Sequence, residues 1–524
     1  MRRSTLSALL MVLATLSVAA QSPPPKPRLG TIVFPTSASG QAQEAFLEGV
    51  LYLHSFEYQS AERAFRRAQQ LDPGFVMAHW GEAMTYTHPV WNEQDVSSAR
   101  STLERLGPTA EARRASAPTP REQGYLDAVE ALYGPGSKPR RDTLYALAME
   151  RLVRAQPADL EAKAFYSLAL LGLNQGVRDT VTYLRAAPFA DTVFRANPVH
   201  PGAVHYLIHA YDDPVHAARG LDAARAYARI APDAAHAQHM TTHIFLALGM
   251  WDDVVAQNRI ALRLQAPLPG HYSSWLIYGL IQQGRYGMAQ DLIGQLRKNL
   301  GSGGLHGQHG ALVDMRAHYL LHSEDWRGTV FDQESSHDRM SLSGELTDVF
   351  TQGAIAYRRR DQASLSAAAS ELARVVDALR EDRGASDLLT LTGRVMALEL
   401  GGMNLFLAGS REAGARAVRE ASRIEDGLPM EFGPPAIVEP SHELLGWMLL
   451  EMRPQEAMAE FRRALAMAPG RSRSLLGLAR AAIALGDKPA ANQALTQLGR
   501  NWSQADPRAR QELAPLRRLA DRLP

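Results

Sequence analysis

The sequence predicts an all-α protein in which helices pair and stack into a superhelix. Amphipathic helical stretches follow one another from residue 38 onward, and short breaks of Gly, Pro or Asp separate them. The apolar and polar alternation of a strand is scarce, so we expect β structure at most as short strands near residues 31–34. Apolar and small residues also recur at fixed offsets, which indicates a repeat array.

The composition of the 524-residue chain excludes several classes of protein. Hydrophobic residues make up 46% of the chain, which is too large a share for a disordered protein. The 56 basic and 55 acidic residues give a net charge of +1, which argues against a nucleic-acid binder attracted by bulk charge. The chain has no cysteine, so disulfides, thiolate metal sites and cysteine nucleophiles are excluded.

The first twenty residues have the features of a secretory signal peptide. Arg2 and Arg3 precede an apolar run over residues 6–20, which ends in small side chains. The run is shorter than the roughly 20 apolar residues that a transmembrane helix needs. We therefore expect an exported protein, periplasmic or secreted, with no transmembrane segment in the mature chain. Residues 21–37 are rich in proline and are expected to form an extended tether.

The first predicted helix pair carries the repeated pattern most clearly. Six residues follow one another at offsets of 3, 9, 4, 3 and 5, namely Gly49, Tyr52, Ala61, Phe65, Ala68 and Pro73. The small residues allow the two helices to approach closely, and Phe65 fills the space between them. The last part of this pattern returns near the C-terminus at Ala457, Phe461, Ala464 and Pro469.

These offsets resemble the tetratricopeptide repeat, a 34-residue unit of two antiparallel helices. The resemblance implies an α-solenoid superhelix of helix pairs over residues 38–425, and further units with a cap over residues 442–524. A Pro- and Gly-rich loop over residues 426–441 interrupts the array, and residues 107–122 also fit poorly and are expected to form a loop or a capping insertion. The resemblance also implies a concave groove that binds an extended peptide or a partner protein.

Two histidine pairs carry the sharpest chemical signal. His205 and His209 are four residues apart, as are His239 and His243, and the second pair follows the first by 34 residues. Residues four apart share a helix face, and a shift of one repeat places the second pair at the same site on the neighbouring helix. Neighbouring helices lie about 8–10 Å apart, so the four imidazoles are predicted to bind one divalent ion such as zinc, copper or iron. A metal-free polar groove and structural hydrogen bonding remain alternatives.

Other polar residues are expected to line the same groove over residues 201–322. In the repeat numbering that the resemblance implies, most occupy groove-facing positions, and the set is Asp213, His236, His271, Tyr278, Asp314, His318 and His322. Asp213 follows His209 by four residues, and either it or the adjacent Asp212 could orient an imidazole from behind.

The histidine segments are also similar to a subset of exported, uncharacterised bacterial repeat proteins. The parts shared with that subset are residues 79–84, 88–91 and 200–206, His236, and residues 239–244. This similarity supports a shared site but implies no reaction. For His54, His79 and His88, packing between helices or at a helix end is the simpler interpretation.

The sequence leaves two functions open. The first is a scaffold that binds a peptide, a protein or a small ligand in its groove, with or without a divalent metal. The second is a metal-dependent enzyme, a hydrolase or an oxidoreductase, in which the ion would acidify a bound water. Glu82, Asp213 and Asp314 are conceivable general bases for hydrolysis. Sequence motifs for zinc proteases, serine hydrolases, phosphate loops and dinucleotide binding are absent.

Overall fold

The computed structural model describes residues 26–174, 177–265, 268–301, 304–331, 340–430 and 432–524. The predicted signal peptide, residues 1–20, lies outside the described residues, as does the tether before residue 26. Residues 26–37 are extended, and Leu29 and Phe34 in this stretch are buried. The N-terminal stretch therefore packs against the helical array over its described part.

Helices form nearly all of the regular structure in the described residues. The helices of the N-terminal half are α1 (Gly40–His54), α2 (Tyr58–Leu71), α3 (Val76–Met84), α4 (Val96–Glu104), α5 (Ala110–Ser116), α6 (Pro120–Leu132), α7 (Lys138–Ala155), α8 (Leu160–Leu171), α9 (Thr180–Ala196), α10 (Pro201–Tyr211), α11 (Ala217–Ile230), α12 (Ala235–Ala247) and α13 (Trp251–Leu264). A short 3₁₀ helix, Gly172–Asn174, follows α8.

The C-terminal half continues the same arrangement of paired helices. Its helices are α14 (His271–Gln282), α15 (Tyr286–Leu300), α16 (His306–Ser323), α17 (Leu342–Arg358), α18 (Gln362–Arg383), α19 (Leu388–Leu407), α20 (Arg411–Glu425), α21 (Ser441–Leu449), α22 (Pro454–Met467), α23 (Ser472–Leu485), α24 (Lys488–Asn501) and α25 (Pro507–Asp521). The predicted all-α solenoid of helix pairs is confirmed. Across the described ranges, no helix is long and apolar enough to cross a bilayer.

The secondary structure differs in two places from what the sequence pattern indicates. Residues 31–34 form no strand, because the backbone amide of Thr31 donates to the carbonyl of Val199, 3.1 Å away, at the turn before α10. The short strands lie instead in a hairpin, where β1 (Thr87–His88) pairs antiparallel with β2 (Glu93–Gln94) around a 3₁₀ helix, Pro89–Trp91. Residues 107–122 are also partly helical, since they contain α5 and the start of α6.

A buried phenylalanine fixes the approach of the helices at each end of the array. Phe65 on α2 lies against Gly49 of α1, where an added Cβ would come within 2.6 Å of the ring. Phe461 on α22 has the same relation to Gly446 of α21, at 2.8 Å. Glycine is required at both sites because the ring occupies the volume of a side chain. In two separate repeat units, the phenylalanine therefore fills the space between the paired helices, as predicted.

The C-terminal repeats stack onto the middle of the chain. The Trp251 indole donates to the carbonyl of Gly470 over 2.9 Å, and the Arg471 guanidinium donates to the Tyr278 hydroxyl over 2.8 Å. The turn between α12 and α13 contains Gly249, which has a positive φ of 68° and lies against the backbone at residues 469–470. A side chain at this turn would separate the two layers, so the glycine permits both the turn and the contact.

Candidate metal centre

Three successive first helices, α10, α12 and α14, bring six histidines together. Each helix begins after a short turn, and α10 begins with Pro201, which needs no hydrogen-bond acceptor for its nitrogen. The Nδ1 atom of His200 accepts a hydrogen bond from the backbone amide of Ala203 and so caps the N-terminus of the same helix. The repeat therefore sets the start of each helix, and the start determines which histidines face the neighbouring helix.

The first group of histidines consists of His205, His209 and His236, which are buried. The Nε2 atoms of His205 and His209 are 3.1 Å apart, and those of His205 and His236 are 3.3 Å apart. One coordinating atom from each residue lies within 4.8 Å of the others. We call this group the first triad.

The second group consists of His239, His243 and His271, and we call it the second triad. The Nε2 atoms of His239 and His243 are 3.1 Å apart. The ring centroid of His271 lies 4.5 Å from that of His239 and 5.9 Å from that of His243. His271 is the exposed member of this triad, whereas the other two are buried.

The structure thus divides the four predicted ligands between two neighbouring sites. Each predicted pair stays together, and a third histidine joins it from the next helix along. The triads adjoin one another, because the His209 and His243 rings are 6.1 Å apart and the His236 and His239 rings are 6.3 Å apart. Metal binding by the four predicted residues stays a prediction, and the geometry extends it to His236 and His271.

Hydrogen bonds fix the orientation of three of these imidazoles. His205 Nδ1 donates to the backbone carbonyl of His54 over 2.7 Å. His239 Nδ1 donates to the side-chain oxygen of Asn258 over 2.8 Å, and His243 Nδ1 donates to Asp212 over 2.5 Å. Acceptors behind an imidazole are the arrangement that orients histidine ligands in metal sites.

The same hydrogen bonds determine which nitrogen of each ring carries a lone pair. Because the Nδ1 atoms of His239 and His243 both donate, their Nε2 atoms are unprotonated in the neutral rings. These two lone-pair atoms are 3.1 Å apart, and they repel each other unless a cation lies between them. Two nitrogens bound tetrahedrally to one zinc ion at 2.0–2.1 Å are themselves about 3.3 Å apart, so the spacing suits a shared ion.

Burial favours the neutral form of His205, His209, His236 and His239. It lowers the pKa of His205 to about 3, and it holds the pKa values of His209, His236 and His239 well below the usual range. The neighbouring histidines lower the pKa values further, because a second positive charge at such short distances is unfavourable. Neutral imidazole is the form that binds transition metals, so the site is ready to bind an ion at neutral pH.

Two of the predicted groove residues, Asp213 and Tyr278, form hydrogen bonds that hold parts of the fold together. Asp213 is buried and accepts from Arg178 over 3.1 Å and from His216 Nδ1 over 2.9 Å. It therefore holds the turn after α10, whereas the adjacent Asp212 orients an imidazole. The Tyr278 hydroxyl accepts from Arg471, a contact that joins α14 to the C-terminal repeats.

The predicted stripe on α16 lies apart from both triads. His322 Nδ1 donates to the backbone carbonyl of His318 over 2.9 Å, and its Nε2 is 3.3 Å from the side-chain nitrogen of Gln282. Both nitrogens of His322 are therefore engaged. His318 and the half-buried Asp314 line a cavity of about 350 Å³ that also reaches His271.

A third buried group contains His54, Glu161 and His200, but its hydrogen bonds are complete. The Glu161 carboxylate accepts from His54 Nε2 over 2.9 Å and from His200 Nε2 over 3.1 Å. His54 Nδ1 accepts from the Tyr206 hydroxyl over 2.9 Å. The two imidazoles lower the pKa of Glu161 to about 2. Every polar atom has a partner here, so the group acts as a support behind the first triad, which it reaches through the His54 carbonyl.

Two aromatic residues from distant segments cover the triads. The Phe56 ring lies 4.3 Å from His205, and the Phe432 ring lies 5.9 Å from His243 and 6.4 Å from His209. Phe432 belongs to the predicted Pro- and Gly-rich loop, which folds back over the centre of the array. These rings cover His205, His209 and His243, in contrast to the open groove that the repeat resemblance implies.

Sequence reasoning missed several residues of this centre. Phe56 and Phe432 carry no local signal, because only the curvature of the array brings them to the histidines. Asn258 orients His239 from the second helix of the same pair, where a polar residue on the buried face is the one available hint. Trp91 follows His88 in a segment interpreted as a helix end, although it forms the tip of the β hairpin.

Comparison with protein families supports the repeat architecture at one end of the chain. Residues 448–514 match the tetratricopeptide repeat family model. The matched stretch runs from the end of α21 into α25, so it includes Phe461 and excludes the histidines. Comparison with curated proteins found no match. The repeat resemblance is therefore confirmed for the C-terminal units, and the chemistry of the centre has to be argued from its geometry.

Proposed function

We propose that this protein is an exported metalloenzyme whose helical repeats hold a pair of divalent transition-metal ions, one in each triad. Each ion would have three imidazole ligands. Structural zinc sites use four protein ligands, whereas catalytic sites use three and leave a position open for water or substrate. The number of ligands in each triad therefore favours a reactive centre.

One observation carries this proposal, namely the short distance between the lone pairs of His239 and His243. Their Nδ1 atoms are committed to Asn258 and Asp212, and their Nε2 atoms are 3.1 Å apart. Two neutral rings in this arrangement have no proton to share. A divalent ion removes the repulsion and uses both lone pairs, which explains why such rings are held together in a buried position.

The identity of the ligands narrows the choice of metal. All six are imidazoles, which suit zinc, copper, iron or nickel, while magnesium and calcium prefer oxygen. Copper binds such sites more tightly than zinc when both are available. We propose zinc or copper, and the choice separates a hydrolase, in which the ion acidifies water, from an oxidoreductase, in which it changes oxidation state.

A binding scaffold is the second candidate, because the fold itself favours it. Tetratricopeptide repeats generally mediate binding of proteins or peptides. In this chain Phe56 and Phe432 cover one side of the triads, so an extended peptide or a protein would bind elsewhere on the array. The scaffold proposal needs no metal, which makes metal content the property that distinguishes the two functions.

Export is the remaining part of the proposal. It rests on the signal-like features of residues 1–20, and an exported protein would acquire its metal outside the cytoplasm or during transport. N-terminal sequencing of the native protein tests it, and we expect the mature chain to begin near Gln21. An intact Met1 on a cytoplasmic protein would contradict it.

The metal site is tested by elemental analysis of protein purified from the periplasm without chelator. We expect two ions per chain in the wild type and one in each of the variants His209→Ala and His243→Ala. The double variant should bind none and should keep its helix content. His306→Ala, which removes an exposed histidine, is the matched control and should retain two ions. Wild-type protein with no more metal than the double variant would leave the scaffold as the function.

A further inference from the structure

A cavity of about 540 Å³ opens beside the triads, and aromatic residues form much of its wall. We define the aromatic pocket by Phe56, Tyr58, Trp91 and Tyr272, which line it together with His88 and Glu93. Its volume lies within the range of sites that bind small molecules. His236 of the first triad and His271 of the second also line it, so a ligand in the pocket would face both sites.

The aromatic rings of the pocket support one another in a continuous wall. The Tyr58 ring stacks on His88 at 4.0 Å and on Phe56 at 5.4 Å. The Trp91 ring lies 5.4 Å from Phe56 and 5.7 Å from His236. Trp91 keeps 43% of its surface exposed, so a ring in the pocket can reach its indole.

The backbone of this wall is held in an unfavourable conformation. Phe56 has a φ of 54°, a left-handed conformation that bulky residues rarely adopt. Such strain costs on the order of 1–3 kcal/mol and is concentrated at functional sites. Here the left-handed turn after α1 directs the Phe56 ring between the pocket and the first triad.

The charges around the pocket indicate which ligands it suits. None of the described residues that line it is a lysine or an arginine, so it offers no cation for a phosphate or a carboxylate. Glu93 is its one carboxylate among those residues, and it accepts from His88 Nδ1 over 3.0 Å across the β hairpin. A neutral or positively charged ligand therefore suits the pocket better than an anion.

We propose that the aromatic pocket binds a small aromatic molecule that carries no negative charge at neutral pH, such as a phenol or an aromatic amine. The ring would stack on the exposed indole of Trp91, and its hydroxyl or amine would point toward His236 and His271. One part of this inference rests on the proposed function: the hydroxyl or amine of the ligand would occupy the open coordination positions of the metal ions. The stacking does not depend on metal.

Phenol, tyramine and benzoate are the probes for a titration by ligand-observed NMR, with chelator-treated protein and with zinc-loaded protein. We expect phenol and tyramine to bind the apoprotein, and benzoate to bind at least tenfold more weakly. Trp91→Ala should weaken phenol binding at least tenfold. Trp326→Ala is the control, because Trp326 packs against Phe331 and does not line the pocket.

Glu93→Gln provides a second variant whose effect depends on charge. It should weaken binding of tyramine more than binding of phenol. Absence of phenol binding to both protein forms, or binding that is unchanged in Trp91→Ala, would overturn the inference. So would equal binding of methyl glucoside that depends on Trp91, since this would make the pocket a sugar site. Failure of the metal proposal appears separately, as absence of zinc from protein that still binds phenol.

Discussion

Asp212 accepts a hydrogen bond of 2.5 Å from His243, although the two residues are 31 positions apart and lie on neighbouring first helices. The aspartate directly follows α10, in the turn that leads into α11, and the histidine stands near the end of α12. One repeat therefore supplies the ligand and the preceding repeat supplies the carboxylate that orients it. The geometry of the second triad therefore depends on correct stacking of these two repeat units.

Replacement of Asp212 by asparagine is expected to weaken the second site alone. The amide keeps the shape of the side chain but lacks the negative charge behind the His243 ring, so the affinity for one of the two ions should fall tenfold to hundredfold. Competitive titration with a metal chelator measures both affinities, and the first triad serves as the internal reference. Asp191→Asn, which changes a surface aspartate paired with Arg195, is the matched control. Equal weakening of both sites would contradict the assignment.

The helical pairs and the two histidine pairs were predictable because their signals are local. Four residues along a helix and 34 along the chain are spacings that a sequence displays directly. The division into two triads was not predicted, because the third ligand of each comes from the next helix along. The cover by Phe432 was not predictable either, because this residue reaches the centre through the curvature of the array. That curvature is the sum of small rotations between successive units, so a sequence pattern does not determine it. The β hairpin at residues 87–94 is too short for any periodic signal.

The packing of Phe65 and Phe461 predicts an unusual response to substitution of glycine. Gly→Ala within a helix normally stabilises a protein by about 0.5–1 kcal/mol. Gly49→Ala and Gly446→Ala should instead destabilise by about 1–3 kcal/mol, because the added methyl group overlaps the buried ring. Gly401→Ala is the control, since an added Cβ there meets no atom within 4 Å. Urea denaturation measures all three, and stabilisation by Gly49→Ala would contradict the packing.

Replacement of Phe65 or Phe461 by alanine tests how much the buried ring stabilises its repeat unit. Phe65→Ala and Phe461→Ala should each cost about 3–5 kcal/mol, as is usual for a buried aromatic residue that leaves a cavity. Each unit contacts mainly its neighbours, so we expect faster hydrogen exchange first in the helices next to the substitution. Exchange that increases evenly along the whole chain would show that the array unfolds as a single unit.

Acidification should destabilise the apoprotein below about pH 6.5. Burial lowers the pKa values of His205 and His318 to about 3, whereas the unfolded chain binds protons near pH 6.5. Between these values the unfolded state holds more protons, so the free energy of unfolding falls as the pH falls, by about 1.4 kcal/mol per pH unit for each such histidine. Urea midpoints at pH 7.5 and 5.5 measure the effect. His318→Gln should reduce the slope by one proton, and a midpoint independent of pH would contradict it.

Phe432 is expected to control how fast metal leaves the centre. Its ring covers His209 and His243, and it also lies 6.3 Å from the Tyr183 ring. Phe432→Ala removes this cover and leaves all six imidazoles in place, so the rate of zinc removal by a chelator should rise severalfold while the number of ions bound stays at two. Phe432→Leu retains an apolar cover and should behave nearly as the wild type. A change in stoichiometry would show that Phe432 shapes the triads themselves, and an unchanged rate would show that metal leaves through the aromatic pocket.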